Sequence, residues 1–190
     1  MNPYQKMLKL YNNGFRQTTP ATCGPASVIL VAQGLGLEAT PESLWHDHRF
    51  AKWLPVDKFP ERGIALHELC FLSEIIYCNK LEITLKRAYP ENFHAFKQDL
   101  ILAAGDKRTV IIVNYLQDNF IKTTTCWENN PHYSPVIALN EQGEVLIADI
   151  DAQVKEPYWV PIEQMCQSMN QINSEFGIPR GYLILKKIFH

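Results

Sequence analysis

The sequence predicts an α+β fold in which a helical amino-terminal half, with a cysteine at a helix start, packs on an antiparallel sheet carrying a histidine and an acid. Three observations predict it. Residues 16–28, R-Q-T-T-P-A-T-C-G-P-A-S-V, pass from a polar loop through Gly24-Pro25 into the small, apolar run Ala26 to Ala32, as expected of a loop feeding a helix with proline in its first turn. Thr109-Val-Ile-Ile-Val-Asn-Tyr115 is continuous and β-branched, which suits a central strand buried on both faces. Two apolar runs, 132–139 and 144–151, flank Asn140-Glu-Gln-Gly143 and read as a hairpin.

The elements follow in chain order. No element is assigned to the first 14 residues. The helix that starts near Gly24 fades at Gly34-Leu-Gly36, and Pro41 to Leu54 reads as a second helix with Leu44, Trp45 and Phe50 as its apolar positions. That segment carries His46 and His48, but residues two apart do not share a helical face, and no third ligand accompanies them, so no metal site is assigned. After a loop of proline and charge from Pro55 to Arg62, Ile64 to Tyr77 has the spacing of a buried helix, which makes Cys70 and Cys78 core residues. Leu81 to Ala88 alternates as a half-buried strand, and Glu91 to Ala104 repeats the helical pattern through Phe93, Phe96 and Leu100. The polar stretch Gln117 to Pro131, which contains Cys126, is a long loop of the kind that often forms a functional lid. A helix from Ile162 to Met169 and a closing strand within Gly177 to Lys186 complete the chain.

With 190 residues the chain fits a single domain spanning 1–190 and is long enough for a sizeable core. Its 18 basic and 20 acidic residues are interspersed, for a net charge of -2. That leaves no electrostatic footprint for nucleic acid or an anionic membrane. The five cysteines are odd in number and form no C-x-x-C pair, so at least one thiol stays free and neither a zinc ribbon nor a thioredoxin-type motif is supported. The amino terminus lacks the apolar core of a signal peptide and no segment is long enough to span a membrane, so a reducing cytoplasm is the expected compartment.

The chemistry centres on Cys23. At a helix start, unpaired N–H groups and the helix dipole stabilise a thiolate, the form that attacks an acyl carbon. Six residues upstream, the Gln17 amide could join the Cys23 backbone N–H in stabilising an oxyanion. A base must come from elsewhere. If Asn140 pairs with Gly143 around a two-residue turn, His132 sits opposite Asp151 and diagonal to Asp149, with both carboxylates on its face of the sheet. Either acid would orient the imidazole and stabilise its protonated form. Asn114, the polar exception at the exit of the central strand, is a candidate substrate contact. Arg180, at the start of the closing strand, is placed to hold a carboxylate. Cysteine, histidine and acid in this order are the arrangement of papain-like thiol enzymes.

The motifs Q-T-T-P-A-T-C-G-P-A-S, V-I-I-V-N-Y, H-Y-S-P-V, L-I-A-D-I, P-Y-W-V-P and R-G-Y-L-I-L together resemble the phytochelatin synthase family from about Gln17 to Leu185. The resemblance implies a papain-like fold and a reaction on glutathione, in which Cys23 expels glycine and holds a γ-glutamylcysteinyl thioester. It implies Cys23 as nucleophile, His132 as base and later acid, Asp149 rather than Asp151 as the orienting carboxylate, Gln17 in the oxyanion hole and Arg180 on the γ-glutamyl carboxylate. It also implies no tightly bound cofactor, with Cd²⁺ or Zn²⁺ entering as thiolate complexes of the substrate, and a homodimer. The chain is similar to the compact bacterial form, for which hydrolysis to γ-glutamylcysteine outweighs metal-stimulated transpeptidation to phytochelatins. Before His132, N-N-P stands in place of a glycine-rich approach. Two alternatives are a peptide-processing cysteine peptidase of the bacteriocin-leader type and a non-catalytic thiol- or metal-binding protein using His46, His48 and stray cysteines.

Overall fold

The apolar run that marks the centre of the sequence is also the centre of the molecule. In a computed structural model that describes residues 2–124 and 130–188, it forms strand β2 (Thr109–Leu116), buried at every position. Its side chains alternate between two cores. Val110 and Ile112 point into one, whereas Ile111, Val113 and Tyr115 point into the other. Helices cover both faces of the sheet, and a strand covered on both sides has no polar face to display.

Among the described residues the sheet has six strands in the order β1-β8-β2-β3-β4-β5, all neighbours antiparallel. They span Leu81–Arg87 (β1), Gly181–Lys187 (β8), Pro131–Leu139 (β3), Glu144–Ile147 (β4) and Tyr158–Pro161 (β5). A separate ribbon pairs β6 (Ile172–Asn173) with β7 (Ile178–Pro179). On the first face lie α1 (Pro3–Asn12), α2 (Cys23–Gly34) and α4 (Leu66–Ile76), preceded by the short α3 (Phe59–Arg62). On the second lie α5 (Phe93–Gly105) and α6 (Ile162–Asn170), which contribute Phe96, Leu100, Met165 and Met169 to that core.

Helix α2 is buried along its whole length except at Gln33. A helix apolar all round must be enclosed on every side, and α1, α4 and β3 enclose this one. The approach to α1 is close: a Cβ on Gly34 would lie 2.5 Å from Met7 Cγ. Ser27 Oγ donates to the Tyr133 carbonyl at 3.0 Å. This bond ties the first turn of α2 to β3 and sets Cys23 beside the strand that bears His132.

Several sequence expectations need correction. Residues 3–12 form α1, where Pro3 occupies the first turn and Asn2 and Gln5 make a capping box. The helix expected over Pro41–Leu54 is instead two 3₁₀ turns, Glu42–His46 and His48–Phe50. Between them Asp47 is extended and its carboxylate takes the Arg49 N–H and guanidinium, so a side chain competes successfully with the helical hydrogen bond. Cys78 is exposed rather than in the core, because α4 ends at Ile76. The expected closing strand forms as β8, which lies between β1 and β2.

The β3–β4 turn also differs from the two-residue expectation. Asn140 pairs with Glu144, so the loop has three residues and ends at Gly143 with φ +79°, the left-handed position such loops favour. A bulge at Ile137 then shifts the register by one, and Val136 faces Ile147 as the shorter turn would have placed it.

Strand β8 tolerates no side chain at its first position. A Cβ on Gly181 would lie 2.0 Å from the Lys86 carbonyl oxygen and 2.9 Å from Arg87 Cα, both backbone atoms. Gly181→Ala should therefore separate β1 from β8 and cost about 2–3 kcal/mol, a fall in Tm of roughly 4–12 °C by circular dichroism. An unchanged Tm would mean that the two strands yield there without cost.

Candidate active site

Cys23 is the first residue of α2, with its side chain buried after a 3₁₀ turn over Pro20–Thr22. His132 lies on β3 opposite Tyr115 of β2 and is 2% exposed. The Asn114 side chain donates to the His132 carbonyl at 3.1 Å. This holds the histidine backbone from the neighbouring strand, so Asn114 is a positioning contact as well as a residue of the adjoining cleft.

Of the two candidate acids, Asp149 meets the histidine. Its Oδ1 lies 2.9 Å from His132 Nε2, although the N–H is poorly directed at it and makes no well-formed hydrogen bond. Strand β4 ends at Ile147, so Asp149 reaches His132 from a loop rather than by cross-strand pairing. Asp151 turns away. Its N–H donates to Asp149 Oδ1 at 3.0 Å and its own carboxylate accepts the Gln153 N–H at 2.8 Å.

Asp149 has no exposure to water, and its second oxygen is surrounded by donors. Gln117 Nε2 and Tyr158 hydroxyl each lie 2.8 Å from Oδ2, and the Tyr115 hydroxyl lies at 3.1 Å. Gln117 is fixed in turn by Asn130, which donates to its amide oxygen and to Thr123 Oγ1. The sequence reading found none of these three donors. Tyr115 was visible only as an apolar strand residue, and Gln117 and Tyr158 reach the acid from 32 and 9 positions away.

The electrostatics follow from this burial. Desolvation alone would lower the His132 pKa, but the Asp149 charge and the nearby Cys23 thiol outweigh it and raise the pKa. Desolvation would raise that of Asp149, yet the imidazolium, the Gln117 amide and the Asp151 N–H hold it below the ordinary value of 3.8. The geometry thus favours a charged pair. Because Asp149 engages Nε2, Nδ1 is the ring nitrogen left to exchange a proton with the thiol.

A cleft opens beside Cys23, lined by Arg62, Asn114, Tyr133, Glu175 and Arg180 among others. Arg180 is 8% exposed; its Nη1 donates to the Gln171 and Ile172 carbonyls, and its Nε has no partner among the described residues. Desolvation lowers its pKa, and the guanidinium keeps its charge. Gln17 is half-buried. Its backbone N–H donates to the Ile150 carbonyl at 2.9 Å, beside Asp149, and its side-chain oxygen is buried without a partner among the described residues. Cys126 lies outside the described residues. His48 is exposed and His46 packs edge-on against Phe59. Among the described residues no group of three His, Cys, Asp or Glu side chains converges as a metal site, and no helix is long and apolar enough to cross a membrane.

A family model for phytochelatin synthase matches residues 1–182. The chain belongs to the phytochelatin synthase family. Its relatives include glutathione gamma-glutamylcysteinyltransferase 3 of Lotus japonicus, 25% identical over 99% of this chain and 38% of that protein. The enzyme of the same name from Schizosaccharomyces pombe is 26% identical over 90% of this chain and 41% of its own length. The chain thus spans less than half the length of these curated relatives. Among solved structures, a C39-like peptidase from Bacillus anthracis superposes with a TM-score of 0.53 at 16% identity, covering 95% of this chain and 96% of that one. This likeness is one of fold: the chain has the papain-like α+β architecture, helices packed on an antiparallel sheet.

The charged pair sets a pH window for stability. His132 has a raised folded pKa, so its contribution is complete below its ordinary value of 6.5 and is lost as pH rises through the folded value. Asp149 has a lowered one, so its contribution is complete above 3.8 and is lost as pH falls through the folded value. The Tm difference between the wild-type chain and Asp149→Asn should be widest between these two ordinary values and narrow on either side. A difference independent of pH would show that the pair is not charged in the folded chain.

Proposed function

We propose that this chain is a thiol acyl-transfer enzyme acting on glutathione. The observation that carries the reading is that Cys23, beside the His132–Asp149 pair, shares one cleft with a buried arginine, Arg180, that has no carboxylate partner among the described residues. The names of its relatives agree with it. The Cys23 sulfur, its proton already held on the His132 imidazolium, attacks the cysteinyl carbonyl carbon of glutathione. The C–N bond to glycine breaks, His132 returns the proton to the leaving amine, and a γ-glutamylcysteinyl thioester remains on Cys23. Asp149 keeps the imidazole oriented and supports its charge. Gln17 and the Cys23 N–H are assigned to the oxyanion, and Arg180 holds the γ-glutamyl carboxylate.

The thioester then passes to water or to the amine of a second glutathione. Water is in large excess, and transfer to an amine wins only where a second site holds the acceptor. Hydrolysis to γ-glutamylcysteine is therefore the main proposed reaction. Transpeptidation is slower, rising with glutathione concentration and with Cd²⁺ bound as a substrate thiolate.

Incubation with glutathione, with and without Cd²⁺, followed by mass spectrometry, tests this. Glycine should be released with γ-glutamylcysteine as its main partner, and Cys23→Ala should lower the rate by at least about 10³-fold. Arg180→Gln should lower kcat/KM by about 10- to 100-fold through loss of a charge-assisted contact. No glycine release from the wild-type chain would overturn the reading.

A further inference from the structure

The γ-glutamyl group carries a free ammonium and a free carboxylate on one carbon, so a cleft selective for it needs an anion as well as Arg180. The charges around Cys23 supply one. Arg62 also lines the cleft, but its charge is already matched: Nη1 and Nη2 donate to the two oxygens of Glu68 at 3.0 and 2.8 Å. Glu68 is 3% exposed and further held by the Ala65 N–H. Glu175 approaches only the remaining edge of Arg62, with 3.3 Å between Oε1 and Nε, and that Nε makes no hydrogen bond. With Arg62 and Glu68 paired off, the described residues that line the cleft leave one cation, Arg180, and one loosely held anion, Glu175.

The two residues are structurally linked. Glu175 sits in the turn between β6 and β7, where its N–H donates to Asn173 Oδ1 at 3.0 Å. Arg180 follows β7 and binds the carbonyls of Gln171 and Ile172 where β6 begins. The turn is set against α4 by an edge-to-face contact of Phe176 with His67, 4.8 Å between centroids. Glu175 is half-exposed, so it can leave Arg62 for a ligand at little cost.

Resting on the glutathione reading, we propose that Glu175 receives the α-ammonium of the substrate while Arg180 holds its α-carboxylate, so that the cleft selects a free amino-acid head group. This makes Glu175 a specificity-determining residue. It also excludes peptides in which an ordinary α-amide replaces the ammonium, since acylation removes the charge and leaves Glu175 and Arg180 unequally matched.

The test compares glutathione with α-N-acetylglutathione, whose carboxylate is intact, using the full chain and Glu175→Gln with glycine release as readout. The wild-type chain should prefer glutathione, and Glu175→Gln should lower its kcat/KM for glutathione about tenfold while leaving that for the acetylated compound unchanged. If acetylated substrate turns over too slowly, its inhibition constant against glutathione gives the same comparison. Equal losses on both compounds would mean that Glu175 acts only through Arg62 or the β6–β7 turn, and no loss on either would mean that it does not meet the substrate. Either result overturns this inference and leaves the glutathione reading standing. A wild-type chain that releases no glycine from glutathione overturns both.

Discussion

The structure depends most on a carboxylate that never meets water. Burying the Asp149 charge costs several kcal/mol unless it is compensated on the spot, and the compensation comes from many parts of the chain. His132 arrives on β3, Tyr115 and Gln117 at the end of β2, Tyr158 on β5, and the Asp151 N–H from the turn after β4. Gln117 is itself held by Asn130, next to the start of β3. Four strands must therefore be in register before the charge is satisfied, which joins the folding of the sheet to the geometry of the site.

The second constraint is the burial of α2. Because this helix is apolar on all sides, its axis and depth are fixed by α1, α4 and β3 rather than by its own propensity. Its first residue is Cys23, so the packing of a whole helix determines where one thiol lies. The Ser27–Tyr133 bond completes the placement. The proposed nucleophile and base are thus held by separate cores of the same sheet, the thiol from one face and the Asp149 network from the other.

The cleft beside the thiol obeys a different economy. Among the described residues its charges are paired unequally: Arg62 bidentately with a buried Glu68, Arg180 with backbone carbonyls, and Glu175 with a poorly directed edge of Arg62. A buried pair such as Arg62–Glu68 is costly to break and remains part of the wall. Groups that keep unspent hydrogen-bonding capacity are those able to answer a ligand, and in this cleft they carry opposite signs.

The sequence by itself determined what depends on local pattern. It marked β2 through its β-branched run, the helix that begins at Cys23, the β3–β4 hairpin and the placement of His132 near an acid, because periodicity and turn chemistry act over a few residues. It misplaced the Pro41–Leu54 segment, where the Asp47 side chain interrupts a helical pattern, and left α1 unassigned despite the Asn2–Gln5 capping box. Its strand register left Asp149 and Asp151 open, because the strand ends before either residue and the register no longer governs them, and the family resemblance alone preferred Asp149. Only the tertiary structure brought Asp149 against His132 and supplied the Gln117, Tyr115 and Tyr158 donors and the meeting of Arg62, Glu175 and Arg180 beside Cys23. Those contacts join residues up to more than 100 positions apart, and a buried charge is satisfied by whichever groups the packed strands bring to it, a condition that no local pattern encodes.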